Sequence, residues 1–237
     1  SLCLDIPFGT WELMHFHGRH CMERVRERVP LMHGIQTVAS RRGASSHHHN
    51  PFVVLLEPTA TETRGECIGV MPVYSGDHRT DIEVDQAGST RVVSGINSDT
   101  FSWRLAPGER FAAPEVILCW TDGGLESVSN HYHDFIRRHV TRGVWKERRR
   151  PVLINNWEAT YFDFDTDKLL HIARQAADLG VELFVLDDGW FGKRGFHGSG
   201  DNAGLGDWFV NEEKLPGGLN PLIEQIHAMG LQFGIWV

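Results

Sequence analysis

Several signatures that would assign this chain at once are missing. Cysteine is sparse: Cys3, Cys21, Cys67 and Cys119 lie far apart and no two form a CxxC pair. That spacing suggests neither a zinc site nor a disulfide framework, and makes a reducing, cytoplasmic setting the default. No apolar run approaches the roughly 18 residues of a membrane helix, so no membrane partner is expected. The stretch from Ser1 to Phe16 lacks the basic start and long apolar core of a secretory signal. Positive charge is not in excess. The net charge is -8 and the pI is near 5.9, which counts against a nucleic-acid partner. Disorder is also disfavoured, because 41% of the residues are hydrophobic and only 23% charged. Tyrosine is scarce at three, yet thirteen Phe and eight Trp supply ample surface for a core.

What is present changes character near Arg150. Up to about residue 120 the chain reads as short strands between turns. Examples are Gln36–Ser40, Phe52–Leu56, Glu66–Val70, Asp81–Asp85, Arg91–Ser94, Phe101–Leu105 and Glu115–Trp120. Strands every 10 to 15 residues with Gly and Pro punctuation indicate an antiparallel sandwich over residues 1–124. A helix is expected from Leu125 to Val140, with Val128, Tyr132, Phe135, Ile136 and His139 on one face. It opens a helical linker over 125–150. The stretch from Arg137 to Arg150 holds seven of the 23 Lys and Arg residues. It reads as a solvated helix end and linker rather than an anion site, since cations suit a helix C-terminus.

After Pro151 strand and helix alternate. Val152–Trp157 is a strand, and Thr166 or Asp167 caps a helix that Gly180 ends. Val181–Leu186 is a second strand, nearly all apolar, as in a parallel sheet covered on its outer face. A helix from Leu219 to Met229 leads into a third strand, Leu231–Val237. This is an α/β unit, for which right-handed crossovers build a parallel sheet. The chain opens without Met and stops inside that third strand, so it is expected to be an internal piece of a longer protein.

In parallel sheets and barrels, ligands bind at the carboxyl ends of the strands. Here those ends read Asn155-Asn156-Trp157-Glu158, Asp187-Asp188-Gly189-Trp190-Phe191 and Trp236. Adjacent carboxylates beside tryptophans suit a sugar: the acids accept from hydroxyls, and the indole faces cover the C–H face of a pyranose. Trp190 and Trp208 fit core packing equally well. The Gly-rich loop from Gly192 to Pro216, with Gly198-Ser199-Gly200-Asp201 and Leu205-Gly206-Asp207-Trp208, is long enough to form a wall of the site. His47-His48-His49 does not suggest a metal site, because adjacent residues of a strand point to opposite faces.

Together these motifs carry a resemblance. Val152–Thr160, Leu186–Gly192, Leu205–Phe209 and Phe233–Trp236 resemble the microbial α-galactosidases of glycoside hydrolase family 36. Arg41–Phe52 and Tyr74-Ser75-Gly76 resemble that family's N-terminal β-sandwich, with His48 where Gln is common. The resemblance implies a multi-domain β plus α/β fold. An antiparallel β-supersandwich would be followed over 151–237 by the start of a (β/α)8 TIM barrel, truncated after its third strand. It implies hydrolysis of terminal α-galactosides such as melibiose or raffinose-type sugars with retention, no cofactor, no metal, and a homo-oligomeric parent. Asp187 and Asp188 match the pair that binds galactose hydroxyls; Trp157 and Trp236 match tryptophans lining the pocket.

It also implies that chemistry is missing here. Retention needs two carboxyls about 5 to 5.5 Å apart, which the family places after the fourth and sixth barrel strands. The family's nucleophile motif, Lys-Trp-Asp-x-Asn-Arg, occurs nowhere in the sequence, so the chain alone is expected to be inactive. A non-catalytic carbohydrate-binding protein and an α-N-acetylgalactosaminidase of related fold remain as alternatives.

Overall fold

Why Phe52-Val53-Val54-Leu55-Leu56 is apolar throughout, rather than alternating, is answered by its place in the sheet. A computed structural model describes residues 1–6, 9–195 and 200–237. Gly198 and Ser199 of the loop motif lie outside the described residues. The chain divides into two units, Ser1–Arg142 and Gly143–Val237.

In the first unit the strands are β1 (Leu2–Ile6), β2 (Glu12–Arg19), β3 (Met22–Pro30), β4 (Gly34–Ala39), β5 (His49–Leu56), β6 (Cys67–Pro72), β7 (His78–Val84), β8 (Thr90–Ile96) and β9 (Val116–Thr121). They form two antiparallel sheets, ordered β1-β8-β7-β4 and β3-β2-β5-β6-β9. Val53 and Leu55 face inward with Leu13, Val70, Ile82 and Val92, the core between the sheets. Val54 and Leu56 point the other way, against Val128 and Tyr132 of α1 (Gly124–Phe135). A strand buried on both faces has no polar side to show, which removes the alternation. The helix continues as a π-helical turn, Ile136–Val140. Tyr132 ties it to the sheet by donating its hydroxyl to the Ile117 carbonyl at 3.0 Å.

The expected strand Phe101–Leu105 does not form. Those residues are irregular and exposed, and Phe101, Trp103 and Phe111 pack on one another, with ring centroids 5.4–6.4 Å apart. Among the described residues no strand pairs with this segment, so β propensity alone does not make a strand. The β2–β3 hairpin, conversely, has little sequence signal. Its outer strand β3 is exposed along nearly all its length and carries Glu23, Arg24, Arg26, Glu27 and Arg28. Charge on an edge strand blocks pairing with other chains.

His78 is fully buried at the start of β7, its Nε2 3.0 Å from the His49 carbonyl. Its Nδ1 has no hydrogen-bond partner among the described residues. Burial holds its pKa below the usual 6.5. The unfolded chain therefore binds the proton first, and stability falls as the pH drops from about 6.5 through the lower folded value. Thermal melts between pH 7.5 and 5 are expected to show this loss, at no more than ~1.4 kcal/mol per pH unit. His78→Gln should flatten the slope; an unchanged slope would remove His78 as its origin.

In the second unit three strands, β10 (Leu153–Asn155), β11 (Leu183–Leu186) and β12 (Gln232–Ile235), run parallel in that order. Between them come the short α2 (Trp157–Thr160), then α3 (Thr166–Asp178) and α4 (Leu219–Ala228). Phe184 and Leu186 of β11 pack with Leu169, Leu170 and Ala173 of α3 and Leu222 and Ile226 of α4. Three parallel strands with helices between them match what is expected of the opening of a (β/α)8 barrel, and the two antiparallel sheets match the expected β-sandwich. The strands are shorter than the sequence reading has them, β11 beginning at Leu183 and β12 spanning Gln232–Ile235, and two further differences bear on the site. The first strand stops at Asn155, and Trp157 opens α2 instead. The cap of α3 is Asp165, whose extended backbone lets its carboxylate accept from the Lys168 amide at 2.8 Å. Gly180 ends the α3 segment at φ 83°, a left-handed conformation that glycine adopts without strain. In the basic stretch Arg149 pairs with Glu182 at 2.6 Å and Arg150 lies over the Trp145 ring.

Candidate carbohydrate site at the strand ends

The end of β10 builds a cradle for the end of β11. The Asn155 Oδ1 accepts from the Trp157 amide at 2.7 Å, and its Nδ2 donates to an Asp187 carboxylate oxygen. Asn156 is buried, and its Oδ1 accepts from the Asp187 amide at 2.8 Å while its Nδ2 reaches the Thr160 hydroxyl at 2.9 Å. The second Asp187 oxygen accepts from the Asp188 amide at 2.7 Å. Asp187 is thus oriented from two sides, yet its side chain is only half-buried. A carboxylate has about four acceptor positions, so capacity for a ligand's hydroxyls remains.

Asp188 has different surroundings. It is 7% exposed, and both carboxylate oxygens accept from the Nε of Arg194, at 2.7 and 2.8 Å. Arg194 is equally buried and also reaches the carbonyls of Asp201 and Ala203. Lys214, buried too, donates to the carbonyls of Phe162 at 2.9 Å and Gly189 at 3.0 Å, and lies 4.8 Å from the Phe164 ring centroid. Burial pushes the Lys214 ammonium below its usual pKa, against the opposing pull of the Asp188 and Asp163 charges. Gly189 lies in a left-handed conformation at φ 95°, and a Cβ there would come within 2.7 Å of the Phe162 ring. Only glycine fits the turn.

The aromatics fall into two groups, one on each side of β11. Trp157 meets Tyr161 and Phe162 edge to face at 5.2 and 5.0 Å. On the β12 side, the Trp236 amide donates to the Leu186 carbonyl and its ring stacks on Phe191 at 6.2 Å. Trp236 is 36% exposed. Trp190 is buried and donates its indole N–H to the Trp236 carbonyl at 2.9 Å; Trp208 stacks on it at 6.2 Å. Asn211 pins the long loop, its amide donating to the Trp190 carbonyl and its Nδ2 to the Gly192 carbonyl.

Of the residues expected at the site, Trp157 follows β10, Asp187 and Asp188 follow the central strand β11, and Trp236 follows β12. The sequence reading did not single out Arg194 and Lys214. Cations in a Gly-rich loop give no pattern that separates buried from solvated ones, and Lys193 next to Arg194 is exposed. Among the described residues no group of three or more His, Cys, Asp or Glu is placed to hold a metal. His48 instead bonds Ser46, at 2.7 Å.

A family model described as the glycosyl hydrolase family 36 N-terminal domain matches residues 1–106, and one described as melibiase matches residues 110–237. The chain belongs to glycosyl hydrolase family 36. Within the family, alpha-galactosidase AgaA of Geobacillus stearothermophilus is 50% identical over 237 residues, all of this chain and 32% of that protein. The bifunctional alpha-galactosidase/sucrose kinase AgaSK of Mediterraneibacter gnavus is 49% identical over the same length, 25% of its own. The crystal structure of AgaA covers the whole chain at a TM-score of 0.94. Variants of AgaA have been crystallised with raffinose and with stachyose. The chain spans about a third or less of the length of these relatives.

Proposed function

We propose that this chain is the sugar-cradling part of an α-galactosidase. The enzyme would hydrolyse terminal α-D-galactosyl residues of melibiose and raffinose-type oligosaccharides by a retaining double displacement. One observation carries the reading: an oriented, half-buried Asp187 beside Asp188 at the end of the central strand, flanked by Trp157 and Trp236. Asp187 and Asp188 would take the galactose hydroxyls, and the two indoles would cover the apolar edges of the ring. The AgaA complexes with raffinose and stachyose support that substrate class. The nucleophile and the acid/base, without which the two steps cannot run, would come from barrel strands beyond Val237.

The free thiols of Cys3, Cys21, Cys67 and Cys119 support a reducing, cytoplasmic setting. Among the described residues no helix is long and apolar enough to cross a membrane. A homo-oligomeric parent belongs to this proposal as what the family resemblance implies.

The test compares residues 1–237 with the protein extended through a whole barrel, using an aryl α-galactoside. The extended protein is expected to turn the substrate over and the 237-residue chain is not. Turnover by the short chain at the extended protein's rate would overturn the division of roles. An extended protein that binds galactosides without hydrolysing them would replace this reading with a carbohydrate-binding one.

A further inference from the structure

Buried cations in a loop need an account, because taking a charge out of water is costly unless something specific is gained. Arg194 and Lys214 are both about as buried as Asp188. Each places one of its contacts on the Asp188-Gly189 turn. Arg194 holds both oxygens of Asp188 through Nε, and its Nη1 reaches back to the carbonyls of Asp201 and Ala203. Lys214 takes the carbonyl of Gly189, the residue that follows Asp188, and that of Phe162, beside the ring that faces Trp157. It also lies 3.5 Å from the carbonyl of Arg194 itself. Here one cation grips the acid and the other grips the turn that carries it.

We propose that Arg194 and Lys214 are positioning residues for the acid pair. Arg194 aims the Asp188 carboxylate and Lys214 sets the Asp188-Gly189 turn, so that Asp187 and Asp188 present a pre-formed acceptor pair to the sugar. Neither cation touches substrate in this arrangement. The proposal rests on the sugar-binding role of the Asp pair given above. Placement within about half an ångström matters for such a site, so loosening either cation weakens sugar contacts without removing them.

The experiment uses the protein extended through the whole barrel, with the variants Arg194→Met, Arg194→Lys, Lys214→Met, Asp188→Asn and the double variant Asp188→Asn/Arg194→Met. Two readouts are taken: kcat and KM on an aryl α-galactoside, and amide hydrogen exchange at Asp187 and Asp188. Arg194→Met is expected to lose on the order of 100-fold in kcat/KM, and Lys214→Met about 10-fold. Arg194→Lys, which keeps the charge but not the forked geometry, should recover about a tenth of the wild-type value. In the Asp188→Asn background, Arg194→Met should cost less than about threefold more, because the two residues act as one unit. Both amides should exchange at least about tenfold faster in Arg194→Met.

Fully additive losses, or unchanged exchange at both amides in Arg194→Met and Lys214→Met, would overturn the proposal. If Arg194→Met does not fold, Arg194→Lys decides: wild-type kcat/KM together with wild-type exchange overturns it. A parent protein inert toward α-galactosides would instead overturn the functional reading, while the exchange rates still judge the positioning role.

Discussion

Asp187→Ala, in the protein carrying the whole barrel, is expected to lower kcat/KM for an aryl α-galactoside by roughly 2–4 kcal/mol of transition-state binding. The loss has two parts. The sugar's hydroxyls lose an anionic acceptor. The Asn155 side chain and the Asp188 amide, which both donate to this carboxylate, are also left without a partner. Asp187→Asn should not be benign, because an amide offers one acceptor oxygen where two donors now converge. Asp188→Ala should fall in the same range and additionally leave the buried Arg194 unpaired. A change below about threefold in kcat/KM for both alanine variants would remove the pair from the site. Circular dichroism and thermal melts of the same variants separate lost binding from lost fold.

Phe184→Ala is expected to destabilise the α/β unit by about 3–5 kcal/mol, the range for emptying a phenylalanine site in a packed core. Phe184 is fully buried at the centre of β11 and belongs to the cluster formed with α3 and α4. It pairs with Ile154 and Phe233 on the flanking strands. Space vacated at the central strand is hemmed in on three sides, so the neighbours cannot collapse into it cheaply. Urea melts following tryptophan fluorescence measure the effect, since Trp190 sits in the same cluster. Phe184→Leu should cost considerably less. A loss under about 1 kcal/mol for the alanine variant would mean that the helices do not depend on this strand for their packing.

The legible parts of the fold were those in which local pattern and final environment agree. Asp81-Ile82-Glu83-Val84 alternates and becomes β7, with Ile82 inward. Leu183 to Leu186 is continuously apolar and becomes the central parallel strand. The helix over Leu169, Leu170, Ala173 and Ala176 buries those four residues. Where the two disagree, the pattern misled. Phe101 to Leu105 has β-prone residues but no partner strand among the described residues. Met22 to Pro30 is rich in charge yet pairs with β2 along most of its length, with a register shift near the hairpin end. Propensity reports what one segment tolerates, whereas a strand exists only when a second segment takes its hydrogen bonds.

The same division holds at the site. The candidate acids and tryptophans, the strand ends that carry them and the family resemblance were legible along the chain, because they follow from residue type, order and the rule that ligands meet parallel strands at their carboxyl ends. That the two acids differ emerges only from the folded chain. Asp187 is half-open and held by Asn155, Asn156 and the Asp188 amide, whereas Asp188 is buried and gripped by Arg194. The folded chain alone shows that Lys214, 26 residues beyond Asp188 in a Gly-rich loop, holds the turn after that acid. Such contacts depend on how far a long side chain can reach across folded backbone and on how little water is left around it. Neither quantity is encoded in spacing along the chain.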